Sequence, residues 1–401
     1  MLVSDSRNAG GRRGGSDSPV KVDYIDAVRG WAILLVITCH VGGAFPELPT
    51  PVKHITNFGW HGVQMFFLAS AVTLMMSWQG RHERYGTACK NFMIRRFLRI
   101  APMYYTGALL YFVFDPPASG FDLSQLLIAL SFINSWHPVW TPTVDGAWMV
   151  VPGGWSIGVE FTFYMLFPLV VLVITSARRA VGALAVLVGL AILANVYGKI
   201  AFADYPPRAV SNFLYFWFPN QAPIFCCGIL LFFLIRRGSG QAPLSPALTY
   251  GLIALSGLIY VVVAEIVRGT HYFNPFGIPP LALATLAFMI FILALAKGSP
   301  TLFSHGALRQ LGTLSFSCYV LHFLVLEKLP GLTAGLIDTQ ATGFAAIGMF
   351  ALLWAATLGA TVGAAFLAHR LIEQPGIALA RRLTARGRRP KPVKALPEGV
   401  V

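Results

Sequence analysis

Ten runs of about twenty mostly apolar residues dominate this chain of 401, at 24–45, 58–78, 97–115, 155–175, 180–197, 213–235, 247–267, 278–296, 310–330 and 343–368. A helix of that length crosses roughly 30 Å of hydrocarbon. In lipid, a segment must satisfy its backbone hydrogen bonds internally. The runs therefore predict an all-α integral membrane protein, a bundle of about ten transmembrane helices. Composition excludes a soluble enzyme or a nucleic-acid binder of this size: 56% of residues are hydrophobic, 11% are charged and the mean hydropathy is +0.66. A further apolar stretch, Leu123 to Phe132, is too short to cross and is bounded by Asp122 and Asn134, so it reads as a re-entrant or surface helix in a long loop.

The basic residues carry a second, independent signal. If the spans alternate from an inside N-terminus, only Lys53, Lys199, Arg208, Arg268 and Lys328 fall outside, 5 of 30. By the positive-inside rule both termini are expected to be cytoplasmic. The net charge of +14 then reports topology, and anionic lipid headgroups are the expected partner of the basic tail, with no call for nucleic acid. Residues 1–22, rich in Gly, Ser, Arg and Asp, read as a disordered cytoplasmic tail, 23–370 as the transmembrane domain and 371–401 as a basic cytoplasmic tail. The five cysteines form no pair flanking an external loop and no Cys/His spacing fits zinc, so neither disulfides nor a metal is expected.

Ionisable groups inside a bilayer are costly unless paired or hydrated, and so mark candidate sites. Arg29 and His40 stand eleven positions apart on the first span, close to three turns, which puts them on one stripe roughly 16 Å apart along the axis. Sorting polar residues by depth gathers Arg95, Arg96 and Arg99 of the third span with Arg29 and Asp26 at the inner side. Arg96 and Arg99 share a face one turn apart, a geometry suited to phosphates. In the outer half, His40, Gln64, Glu160 with Tyr164 one turn further in, and His322 are expected to converge in one chamber. A bland reading stands beside each: arginines at helix ends anchor to headgroups, an intramembrane His or Gln serves as interhelical glue, and Asp26 pairs with Arg29 across one turn.

Five segments in order, RG-(x)9-H beginning at Arg29, GVQMFFLAS at 62–70, RRFLRIAPMYY at 95–105, WSIGVEFTFYMLFP at 155–168 and SFSCYVLHF at 315–323, together resemble the motifs of the acyltransferase 3 family over Tyr24 to Pro375. These are membrane acyltransferases acting on polysaccharides, lipid-linked glycans, oligosaccharide signals or macrolides. The resemblance implies O-acyl transfer, usually acetyl, from a cytoplasmic acyl-CoA to a hydroxyl of a carbohydrate or glycoconjugate on the far side of a bacterial cytoplasmic membrane. It places the family's Arg-x10-His motif on Arg29 and His40, its Arg-x-x-Arg motif on Arg96 and Arg99, and its fourth-span glutamate on Glu160. On this reading His40 is the general base, Glu160 orients its imidazole, and Arg96, Arg99, Arg29 and Arg95 hold the donor's phosphates. The chain departs from the pattern at Gln64, where the family usually has Asp, at Ser70-Ala71-Val72 and at Phe161. A proton-coupled exporter would use the same buried His and Glu without acyl-CoA, and a non-catalytic membrane sensor would need only the basic tail.

Overall fold

The structure is a computed structural model describing residues 23–80, 83–118, 120–141, 148–237, 242–266, 279–332 and 335–385. The segments 1–22 and 386–401, expected to be solvated tails, lie outside the described residues. In chain order the helices are α1 (Asp23–Gly43), α2 (Thr50–Phe58), α3 (Gly62–Gln79), α4 (Tyr85–Phe114), α5 (Leu123–Leu130), α6 (Gly154–Val173), α7 (Ala177–Ala201), α8 (Pro207–Phe216), α9 (Phe218–Arg236), α10 (Pro246–Ile266), α11 (Pro279–Gly298), α12 (Gly306–Leu332), α13 (Gly343–Ala368) and α14 (Gln374–Ala385). No strand occurs among the described residues. Asp122 caps the short loop helix α5, accepting from the Ser124 and Gln125 amides.

Among the described residues nine helical stretches are long and apolar enough to cross a membrane, against the ten runs expected. The shortfall is 310–330. It forms α12, whose 27 residues are long enough to span, but His322, Glu327 and Lys328 dilute its apolarity. Two expected boundaries also move. The third span starts at Tyr85, so the arginine cluster stands on a helix. The last passes residue 370 through one π-helical turn, His369–Glu373, into α14, which packs against α4. Pro102 has no N–H to offer the Leu98 carbonyl one turn back, and Gly376 of α14 sits directly over that carbonyl.

At the centre of the bundle, α1 touches α2, α3, α11, α12 and α13, with α12 its most extensive partner. Lipid tails are as apolar as leucine, so helices in a bilayer associate through close packing of small residues and interhelical hydrogen bonds. Both devices are present. A Cβ on Gly30 would run into the Leu308 carbonyl of α12, and a Cβ on Gly312 into the Asp26 carbonyl of α1. The Arg309 side chain pairs with Asp23, Trp31 Nε1 donates to the Phe303 carbonyl (3.1 Å) and Trp354 Nε1 to Thr38 Oγ1 (2.9 Å). Outer faces stay apolar, as with Leu190, Leu193 and Ile200 of α7, which are exposed.

Gly312→Ala is expected to destabilise the folded protein by about 1–3 kcal/mol, the usual cost of overpacking, because backbone on both sides must move. Thermal unfolding in detergent measures it. Gly348→Ala on α13, where nothing lies within 4 Å of a new Cβ, should leave the midpoint unchanged or raise it.

Candidate functional site

Five helices enclose one cavity of about 80 Å³, room for several waters, between α1, α3, α4, α6 and α12. Arg29, Arg96 and Arg99 all line it, as does Glu160. On α1, Arg29 donates to Thr73 Oγ1 (3.1 Å) and pairs with Asp26 at 3.4 Å. On α4, the Arg96 guanidinium lies over the rings of Phe92 and Tyr164, 5.6 and 5.5 Å from their centroids, and its Nε is buried without a hydrogen-bond partner. Glu160 accepts from Ser70 Oγ (2.6 Å) and from the Tyr164 hydroxyl (2.5 Å). Three guanidiniums against one lining carboxylate leave a surplus of positive charge in a partly desolvated space, a setting that favours an anion. Arg95 is half-buried and does not line this cavity.

The cavity reaches Ser156 and Tyr319 away from Arg96. The Tyr319 hydroxyl accepts from Ser156 Oγ (2.8 Å) and donates to the Gly153 carbonyl (3.0 Å). Gly153, at φ 77°, caps α6 with Tyr319 packed close against its Cα: a Cβ there would stand 2.8 Å from that hydroxyl. One turn further along α12, the His322 ring lies 5.7 Å from the Tyr319 ring and 5.2 Å from that of His40. Phe323 packs against both imidazoles at 4.2 Å.

The residues expected in one outer chamber thus separate into three places. His40 and His322 are neighbours. Glu160 belongs with the arginines, its hydrogen bonds go to Ser70 and Tyr164, and among the described residues none joins it to His40. Gln64 is fully buried elsewhere, donating to the Tyr215 hydroxyl (2.6 Å) and to Gln221 Oε1 (3.3 Å). Depth along a helix says nothing of azimuth, and azimuth separates these side chains. Several lining residues, Ser70, Ser156, Ser315 and Tyr319, carried no weight in the sequence reading. A signal was there: Ser156, Glu160 and Tyr164 recur every four residues on α6, and Ser315 and Tyr319 do the same on α12, which sets each group on one face of its helix.

An all-helical, multi-pass membrane bundle around a cationic cavity, with paired histidines one turn beyond its far end, is the class these features define. Residues 22–370 match the family model described as an acyltransferase domain, and the chain belongs to this acyltransferase 3 family. It is 28% identical over 387 residues to the acyltransferase MdmB of Streptomyces mycarofaciens, covering 90% of this chain and 93% of that protein. It is 24% identical over 379 residues to the peptidoglycan O-acetyltransferase OatA of Listeria monocytogenes, covering 88% of this chain and 55% of that protein, so the chain spans about half of OatA. No solved structure matches it significantly.

Gly153→Ala places a Cβ at positive φ and against the Tyr319 hydroxyl. A loss of about 1–3 kcal/mol is expected, read as a lowered unfolding midpoint, whereas Gly86→Ala, with open space around it, should be neutral.

Proposed function

We propose that this acyltransferase moves an acyl group, acetyl in the first instance, from acyl-CoA to a hydroxyl of a carbohydrate or glycoconjugate. The observation that carries this reading is the convergence of Arg29, Arg96 and Arg99 on one cavity whose far end, at Tyr319, adjoins the histidine pair. Coenzyme A presents several phosphates, and arginine forks bind phosphate in bidentate fashion. The pantetheine arm then runs along the cavity, bringing the thioester toward His40. Three helical turns separate Arg29 from His40, roughly 16 Å, a span within reach of such an arm.

A sugar hydroxyl is a poor nucleophile at neutral pH and needs a base within hydrogen-bond reach. His40, half-buried at the end of α1, fills that role, and transfer is direct, through a ternary complex. Asp26 orients Arg29. Glu160 holds Ser70 and Tyr164 and balances part of the arginine charge. Arg95, outside the cavity, serves the basic surface around it. The lysine and arginine distribution supports a donor entering from the cytoplasm, with both termini there, in a bacterial cytoplasmic membrane. An exporter would leave the arginine cavity unexplained and would move substrate without acyl-CoA.

Purified protein incubated with labelled acetyl-CoA and cell-envelope extract should label a hydroxyl-bearing acceptor. His40→Ala should lose at least about 10²-fold in turnover, the scale of a positioned base, while still binding acetyl-CoA; robust turnover by that variant overturns the base. Arg96→Ala and Arg99→Ala should each weaken acetyl-CoA binding by about tenfold or more, since a charge-assisted hydrogen bond contributes roughly 1.5–3 kcal/mol. Unchanged binding in both removes the phosphate anchor.

A further inference from the structure

His322 has no part in the scheme above, yet it is fully buried on α12 beside His40. Its Nδ1 lies 2.7 Å from the Tyr319 carbonyl oxygen. A carbonyl accepts and cannot donate, so Nδ1 carries the proton and, in the neutral ring, Nε2 is a bare acceptor. That Nε2 is buried and has no hydrogen-bond partner. An acceptor stranded in this way costs roughly 1–3 kcal/mol, and a native structure that retains one calls for a donor.

The surroundings narrow the choice of donor. Phe323 has none to offer, and the Tyr319 hydroxyl is committed to the Gly153 carbonyl. His40 does have a ring N–H, and among the described residues it makes no side-chain hydrogen bond. The centroids of the two rings stand 5.2 Å apart, which makes His40 the ring N–H donor that neighbours this acceptor.

We propose that His322 is a positioning residue for acyl transfer: its Nε2 accepts a ring N–H from His40, which fixes the tautomer and plane of His40 and turns the other His40 nitrogen, as a lone pair, toward the acceptor hydroxyl. The inference rests on the O-acyl transfer reading and deepens it. In the step, the hydroxyl O–H bond breaks as its proton moves to His40, and the oxygen bonds to the thioester carbonyl carbon. The carbon–sulfur bond then breaks, and the proton passes from His40 to the departing sulfur, leaving an ester and free coenzyme A. While His40 holds both protons, its charge is shared along N–H···N with His322. The second imidazole thus stands where a carboxylate stands in a carboxylate–histidine pair.

The test compares wild type, His322→Leu, His322→Gln and His322→Ala, using labelled acetyl-CoA and cell-envelope extract, with acetyl-CoA affinity and unfolding midpoint measured on each. The leucine variant should lose roughly 10²-fold in turnover with acetyl-CoA affinity changed less than about twofold. Glutamine, whose Oε1 accepts at the same place, should recover part of that loss, and added imidazole should restore part of the activity of the alanine variant. Leucine turning over like wild type overturns the proposal. So does a loss of turnover that follows the loss of midpoint and is relieved by neither glutamine nor imidazole, since that is the behaviour of a packing residue. If wild type itself transfers no label, the acyl-transfer reading fails first, an outcome recognisably different from both.

Discussion

The backbone-to-backbone approach of α1 and α12 is the constraint on which the site depends. Gly30 sits against Leu308 and Gly312 against Asp26, so neither helix can slide or rotate without a collision. Glycine at 30 follows Arg29 directly, and the contact that needs a glycine therefore also sets the azimuth of the arginine. With the register fixed, the polar stripe of α1, from Arg29 to His40, faces the stripe of α12 that runs Ser315, Tyr319, His322. In a bilayer, hydrophobicity does not discriminate one helix partner from another, and steric fit between small residues does. The Arg309–Asp23 pair holds the same register near the start of α1, while the Trp31 and Trp354 hydrogen bonds tie α1 to the turn before α12 and to α13.

Placing three guanidiniums around one cavity is expensive inside a membrane domain, and the structure offsets the cost only in part. Asp26 and Thr73 engage Arg29, and the Tyr164 and Phe92 rings lie under Arg96. Glu160 accepts from both Ser70 and Tyr164 on the one oxygen Oε1, and among the described residues it forms no ion pair with an arginine. The buried Arg96 Nε stays without a partner. A purely structural cluster would gain by closing these gaps, because a buried charge without full compensation costs several kcal/mol. A binding site is the arrangement in which leaving them open is useful, and the proposed donor's phosphates would be the missing partner.

Much of this was legible in the chain. The ten apolar runs anticipated the helices, with the caveat built into α12 that polar residues needed inside a bundle lower the hydropathy by which a span is recognised. The Arg29 and His40 stripe was legible because both residues lie on one helix, where the 3.6-residue period fixes their relation. The association of Glu160 with the arginines was not, because helices α4 and α6 can be rotated about their axes without changing the depth of any residue. The same holds for Gln64, at the expected depth but turned toward Tyr215 and Gln221. The hydroxyls of Ser156, Ser315 and Tyr319 carried no weight despite their four-residue spacing, because serine and tyrosine are common in spans and the spacing alone does not say which face turns inward.

The position of Gln64 also bears on how protons are handled. At the place where the family usually has an aspartate, this chain has an uncharged side chain held in a neutral network with Gln221 and the Tyr215 hydroxyl. No carboxylate on α3 is therefore available to the histidines, and the carboxylate of α6 is occupied by Ser70 and Tyr164 beside the arginines. A neutral network can be buried without a counter-ion, whereas a carboxylate at this position would need one. On the proposed reading, anion binding and proton transfer are in this way kept on separate groups: the acid stays with the cations, and a proton taken from a hydroxyl is left to the two imidazoles one turn beyond Tyr319.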